Sequence, residues 1–404
     1  MKIIIIGAGQ TGSAIATHLA SEDNDITVIE RNKKLLSNIS GQLDIRTIQG
    51  NGSHPYILEQ ADAKEADMII AVTDIDEVNM AACQVAYTMF GVQTKIARIR
   101  SHQYTTHKKL FKNEDVPIDR IISPELMMTN HIKNLIKYPG ASQIISFSGD
   151  LVTILSIKIT SDSHLLKANI IEIQKKHSQL NIVALLRKDK YINIEQDTLL
   201  KQGDEVFLVT EHINISKVLY MLTKIKHAYK KIIIAGGGNI GQSLAAKLEN
   251  DYKVKLIDHN SAHCQQAAAT LENTIVLEGE ATNLSLLLEE NIDLADIFCA
   301  VTNNDESNIL SSALAKHKGV KRAIAIVNNP GYLSLIEDTN IDLDVSISPQ
   351  KVTVNSLLSL VRQQYAHIVK VHSLQAGYAE VFELKVTNPP GQISPLIDLT
   401  IENI

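Results

Sequence analysis

The chain has 404 residues, 45% of them hydrophobic, which is too long for one ordinary core and enough for two to four domains. Its formal net charge of -6, with acids and bases mixed along the sequence, leaves no basic stripe to neutralise a run of phosphates, so DNA and RNA are excluded as main partners. Its cysteines, Cys83, Cys264 and Cys299, lie far apart with no CxxC pair, which argues against a disulfide framework or a zinc site.

From Lys2 the chain enters the apolar run Ile3 to Ile6, far short of the ~20 residues that cross a bilayer and unlike a secretory signal. A protein that stays in the cytoplasm is expected. Lys2 to Ile6 reads as a strand that enters the turn Gly7-Ala8-Gly9-Gln10-Thr11-Gly12, after which a helical pattern opens. A second strand, Ile26 to Glu30, ends on an acid. Gly50-Asn51-Gly52-Ser53 follows. Met68 to Thr73 is a continuous apolar run of the kind buried on both faces of a parallel sheet, and Glu77 to Phe90 has helical spacing with Gly91 as its stop. Arg98 and Arg100 alternate with Ile96 and Ile99 around another strand, which would point both arginines to one face.

The texture then changes. From about Ser142 to Leu222 short alternating strands (Thr153 to Ile159, Ile182 to Arg187, Glu205 to Thr210) are broken by polar turns such as Lys201-Gln202-Gly203-Asp204. Lys224 to Lys231 is a basic connector or the solvated end of a helix. Beyond it the first pattern returns. Gly236-Gly237-Gly238-Asn239-Ile240-Gly241 repeats the first turn at an offset of 236 − 7 = 229 positions. Leu256-Ile257-Asp258 repeats Val28-Ile29-Glu30 one residue out of step. Gly279-Glu280-Ala281-Thr282 answers Gly50 to Ser53, and Ala300-Val301-Thr302 with Asp305-Glu306 and Asn308 answers Ala71-Val72-Thr73 with Asp76-Glu77 and Asn79. The arginine stretch is answered by Ala325 and Val327, so the second copy lacks those guanidiniums. At about Val369 the β-rich texture begins again and runs to Ile404, roughly half a module, which reads as a degenerate copy or a shortened sequence.

The predicted fold class is therefore α/β: tandem Rossmann-like, doubly wound parallel sheets, each followed by a small β-rich α+β module, the second incomplete. The expected boundaries are 1–125, 142–223, 230–350 and 369–404.

A dinucleotide site needs a tight turn, a place where backbone meets pyrophosphate, and close packing of helix on strand. Gly7, Gly9 and Gly12 have the spacing for these roles, as do Gly236, Gly238 and Gly241. The N–H groups opening the next helix then face the phosphates. Glu30 and Asp258 stand where a carboxylate bonds ribose hydroxyls and repels a 2′-phosphate, favouring NAD or ATP over NADP. Thr73 and Asp74, with Thr302 and Asn303, end the next strand, either facing the ligand or capping the following helix. Arg98 and Arg100 offer guanidiniums for phosphate or for a structural ion pair. The turn has no P-loop lysine, and no HExxH, GxSxG or catalytic cysteine signature appears.

An NAD-dependent dehydrogenase is the alternative to a binding protein. It would need an acid/base group beside the nicotinamide. The segment after the first unit offers only His164, His177 and His212, read as solvated surface residues, and the second unit repeats the first.

With GAGQTG, VIERN, QGNGS, AVTDIDEVN, a Ser123-Pro124 segment mirrored by Ser348-Pro349, a β-rich module and a second glycine-turn unit in this order, essentially the whole chain resembles the TrkA family. These are cytoplasmic regulatory subunits of bacterial Trk potassium transporters, built from tandem RCK (KTN) domains each followed by a TrkA-C module. The resemblance implies no enzyme but a nucleotide sensor of potassium transport. It implies a ring-like homo-oligomer docked peripherally on the cytoplasmic face of the inner membrane beneath a potassium-translocating subunit. NAD(H), with ATP or ADP as further ligands, would lie in a first site lined by Gly7, Ala8, Gly9, Gln10, Thr11, Gly12, Glu30, Asn51, Thr73, Asp74 and Arg98. A second would be lined by Gly236, Gly237, Gly238, Asn239, Ile240, Gly241, Asp258 and Thr302. The short final module departs from the family pattern.

Overall fold

Ile3 to Ile6 are each at most 2% exposed because the strand they form lies in the middle of a six-stranded sheet. The computed structural model describes residues 1–384 except 23, 42, 161–162, 164, 178–179, 189, 224–228, 340, 363–367 and 375–378. By internal contacts it divides into two units, Met1–Met127 with Gln350–Arg362, and Met128–Pro349 with the remainder.

In the first unit, strands β1 (Lys2–Ile6), β2 (Asp25–Glu30), β3 (Arg46–Gln49), β4 (Met68–Ala71), β5 (Thr94–Arg98) and β6 (Arg120–Ile122) pair in parallel in the order β3-β2-β1-β4-β5-β6. The order reverses between β1 and β4, the switch point at which such sheets bind ligands. Side chains alternate strictly between the faces. Ile3, Ile5, Val28 and Ile70 meet Ile15 and Leu19 of helix Gln10–Ala20 on one face. Ile4, Ile6, Ile29 and Ile69 meet Ala82, Cys83 and Ala86 of helix Asp76–Phe90 on the other. That helix ends where expected, at Gly91 in the left-handed conformation (φ 74°). Val354, Leu357, Leu358 and Val361 join the first of these clusters, so the helix Pro349–Arg362, which follows the second parallel sheet in sequence, packs on the first. Lys95 is 1% exposed. Its ammonium pairs with Asp119 at 3.0 Å, donates to Gln93 O at 2.8 Å and lies 4.6 Å from the centre of the Tyr87 ring.

The second unit holds an antiparallel sheet of β7 (Gln143–Phe147), β8 (Val152–Lys158), β9 (Asn181–Arg187), β10 (Lys190–Tyr191) and β11 (Glu205–Glu211), in the order β10-β9-β11-β8-β7. Leu155, Ile157, Val206 and Leu208 are covered by helices Ile170–Lys176 and Ile215–Thr223. Gly203, at φ 84°, makes the expected turn into β11. A second parallel sheet follows: β12 (Lys231–Ala235), β13 (Lys253–Asp258), β14 (Ile275–Glu278), β15 (Ile297–Ala300), β16 (Arg322–Ile326) and β17 (Val345–Ile347), ordered β14-β13-β12-β15-β16-β17 as in the first. Arg322 in β16 donates to Leu135 O and Ala141 O, both at 2.9 Å, tying down the helix Pro124–Lys137 that follows the first sheet in sequence. Both crossed helices begin on proline after a buried serine, Ser123 or Ser348, a good helix start because proline lacks only an N–H that the first turn leaves unbonded. Strands β18 (Ile368–Leu374) and β19 (Ala379–Leu384) open the last module; Val381 packs on Ile154 and Phe207 of the antiparallel sheet.

Several expectations change. The apolar runs outlast their strands: β4 and β15 end at Ala71 and Ala300, two residues before Thr73 and Thr302. His212 is no solvated bystander; its Nδ1 lies 3.0 Å from Thr153 Oγ1, with its ring edge-on to Tyr138. His164, residues 224–228 of the basic connector and residues 385–404 of the final module lie outside the described residues. The cysteine thiols are buried, and burial pushes Cys83 and Cys299 up to about 12. Among the described residues no helix is long and apolar enough to cross a membrane, and no cluster of His, Cys, Asp and Glu could hold a metal ion.

Candidate nucleotide crevices

At the carboxyl end of β1 the chain turns sharply at Gly7, whose φ of 104° excludes most side chains; a Cβ there would also press on the Thr73 backbone at 3.1 Å. Gly12 begins the next layer. A Cβ on it would lie 1.8 Å from Gly7 O, so the helix can approach the strand only with glycine there. Gly9 differs from both. It caps the helix with extended backbone (φ −67°, ψ −174°), and a Cβ on it would meet no protein atom within 4 Å. Nothing in the fold requires glycine at this position; open space in front of the helix N-terminus does, if something else is to fill it. The second turn repeats all three conditions: Gly236 has φ 115°, Gly241 would strike Gly236 O at 1.8 Å, and Gly238 faces nothing within 4 Å.

The acids are built into these loops. Glu30 accepts from Ala8 N and Asn32 N, both at 2.9 Å, and Asp258 accepts from Gly237 N and, at 2.7 Å, Asn260 N. Each carboxylate oxygen keeps a lone pair for a ligand hydroxyl. The differing acids explain the differing loops. Aspartate is one methylene shorter, so its loop must come closer, and a Cβ on Gly237 would lie 2.9 Å from Asp258 Cβ; the longer Glu30 leaves room for Ala8.

The crevice floor is held by groups that the sequence pattern displayed without assigning. Asn79, fully buried, accepts from Thr73 N and Oγ1 (2.9 and 2.7 Å) and donates to Thr73 O and Arg98 O. Asn308 does the same for Thr302 and Ile326 O. The threonine hydroxyls therefore act in a strand-to-helix tie. Asp76 accepts from Arg100 N and Ser101 N, and Asp305 from Asn328 N and Asn329 N. The paired signal was the Asp-Glu-x-Asn shared by the repeats. These contacts also correct the register of the second copy: the counterparts of Arg98 and Arg100 are Ile326 and Asn328, not Ala325 and Val327.

A cavity of about 810 Å³ lies over this floor. Gly7, Gly9, Gln10, Thr11, Glu30, Asn51, Thr73, Asp74 and Arg98 all line it, whereas Ala8 and Gly12 are packed behind the loop. The arginines do not share a role. Arg100 is exposed and pairs with Glu125 at 2.9 Å. Arg98 is largely buried; burial, and then the neighbouring Arg100, lower its pKa, and its Nε has no hydrogen-bond partner among the described residues. A desolvated guanidinium facing an open crevice suits an anion. In the second unit Gly236 to Gly238, Asp258 and Thr302 converge in the same way, with Asn239 and Ile240 opening the helix, but Ile326 replaces the guanidinium and His263 approaches Asp258 at 3.4 Å.

A family model described as the TrkA-N domain matches residues 3–124 and 232–349. The Trk system potassium uptake protein TrkA of Halomonas elongata is 45% identical over 385 residues, covering 95% of this chain and 83% of that protein. Among solved structures the GsuK RCK domain superposes with a TM-score of 0.67 at 18% identity, covering 90% of this chain and 77% of that one. The GsuK channel bound to NAD gives 0.66 at 17%, covering 90% and 64%. At such identities these structural likenesses speak for the fold.

Proposed function

The chain belongs to the TrkA family of Trk system potassium uptake proteins, and from that premise we propose that it is a nucleotide-sensing regulatory subunit that gates a membrane potassium transporter. The observation that carries the proposal is Gly9, repeated at Gly238: glycine where neither backbone conformation nor packing requires it, at a helix N-terminus over the switch point of the sheet. The ligand is an adenine nucleotide, NAD(H) foremost and ADP or ATP next. Glu30 and Asp258 hold ribose hydroxyls, the helix N-termini face the phosphates, and Arg98 adds a charge in the first crevice alone. That the GsuK channel, which shares this fold, binds NAD supports this choice.

Gating follows from differential affinity. A nucleotide that prefers one shape of the assembly by a few kcal/mol shifts the population toward that shape, while equal affinity for both shifts nothing. The proposed assembly is a ring of copies on the cytoplasmic face of the inner membrane, docked on the potassium-translocating subunit. The dehydrogenase reading recedes because the second unit repeats the sheet order and glycine turn of the first, and the relatives are named for potassium uptake. In cells lacking the gene, at low external potassium, the intact chain is expected to restore uptake, and Gly9→Val with Gly238→Val to alter it. Full uptake by the double variant, in cells containing it at normal level, would refute nucleotide sensing.

A further inference from the structure

At the opposite end of the second parallel sheet, where β12, β13 and β14 begin, lies a cavity of about 650 Å³, within the range of small-molecule sites. Ile233, Val254 and Ala295 give it apolar walls, and Ile275 and Leu294 line it while 54% and 55% exposed. Glu290 pairs with Lys255 at 2.7 Å, and Glu249 accepts from Asn273 N and Thr274 Oγ1, both at 2.9 Å, neutral donors that fix its carboxylate without cancelling its charge. Two lysines, Lys231 and Lys253, line it with exposed side chains and have no ion-pair partner among the described residues. The balance of unmatched charge is positive.

The two repeats differ at this cavity. Strand register pairs Thr27 with Arg46 in the first unit and Lys255 with Ile275 in the second, so Ile275 stands where the first copy has arginine. There Arg46 forms an ion pair with Asp62 and donates to Gln60 O at 2.6 Å. The counterpart of Asp62 is Asn291; both are in the left-handed conformation, at φ 53° and 57°. The second copy has thus exchanged a charged clasp for an apolar side chain and an amide.

We propose that this cavity binds a small organic anion with an apolar body, its charge set against Lys231 and Lys253 and its body against Ile233, Ile275 and Leu294. The site shares no residue with the nucleotide crevices. Its test uses the full chain with anilinonaphthalene sulfonate as fluorescent probe and decanoate as competitor. Decanoate should displace the probe at least about tenfold more readily than uncharged decanol, a difference of ~1.4 kcal/mol. Ile275→Arg with Asn291→Asp, which rebuilds the first copy's clasp, should abolish displaceable binding, and Lys231→Ala with Lys253→Ala should weaken decanoate roughly threefold to tenfold. NADH binding should be unchanged in both variants. Equal displacement by decanol, or decanoate binding that survives the clasp in a variant melting as the parent does, overturns the proposal. Should the clasp variant fold poorly, unchanged decanoate affinity in the lysine variant overturns it.

Discussion

Replacing Gly9 by alanine separates what the fold requires from what a ligand requires. The new Cβ would meet no protein atom within 4 Å, and the extended backbone at Gly9 is open to alanine. Alanine caps a helix less well than glycine, a loss of up to ~1 kcal/mol, while its restricted unfolded chain returns about 0.4–1 kcal/mol. Stability should therefore change by less than about 1 kcal/mol, a shift of a few degrees in melting temperature. Nucleotide binding should suffer far more. Losing the close approach of backbone to pyrophosphate removes at least one hydrogen bond to a charged group, about 1.5–3 kcal/mol, or roughly tenfold to 150-fold in affinity. The neighbouring Gly12→Ala is the contrast, since its Cβ would lie 1.8 Å from Gly7 O and should cost about 3 kcal/mol or more. Calorimetric NADH titration beside thermal melts reads both quantities. A Gly9→Ala chain that binds NADH with parental affinity and stoichiometry would refute the reading of the crevice.

Arg98→Leu should weaken the first site about tenfold for NADH and flatten its salt dependence without lowering the melting temperature, because it removes a desolvated charge; calorimetry at two salt concentrations checks this. Gly237→Ala should destabilise the second unit by about 1–3 kcal/mol, and adding Asp258→Glu, which recreates the Ala8–Glu30 pair, should recover most of the loss in a denaturant double-mutant cycle. Asp119→Ala leaves the Lys95 ammonium buried without its carboxylate and should cost about 3–5 kcal/mol by the same assay. Burial pushes His131 down to about 4, so the folded state holds this ring neutral where the unfolded chain, titrating near 6.5, already binds a proton. Stability should fall as pH drops from about 6.5 toward about 4, and His131→Gln should flatten that part of the pH profile.

Gly7, Gly12 and the acids were legible in the sequence because each answers a local demand of the backbone that recurs wherever the turn recurs, and Gly9 was legible only by its spacing between them. The role of Asn79 was not. A polar residue near a helix start reads as a surface group, and only the sheet brings Thr73 O and Arg98 O to the same amide. The misplaced register of Ala325 and Val327 has a small cause: the left-handed glycines that stop the two helices, Gly91 and Gly319, are 319 − 91 = 228 apart, whereas Ala71 and Ala300 are 229 apart. One residue is missing from the second copy between these points, inside a stretch where helical spacing absorbs the deletion. The distinct fates of Arg98 and Arg100 depended on Glu125, whose position no local pattern announces.

Helix Pro349–Arg362 makes the order of the chain and the membership of its cores disagree. A fragment cut at the apparent end of the first repeat would carry every strand of its sheet and still lack Val354, Leu357, Leu358 and Val361, each worth about 1.5–3 kcal/mol of burial. The complementary fragment would lose the carbonyls of Leu135 and Ala141 that Arg322 binds. Neither half is an exportable part. Deleting one repeat would bare apolar surface or buried polar groups of the other, so the two copies stand or fall together even though only the first crevice carries a guanidinium.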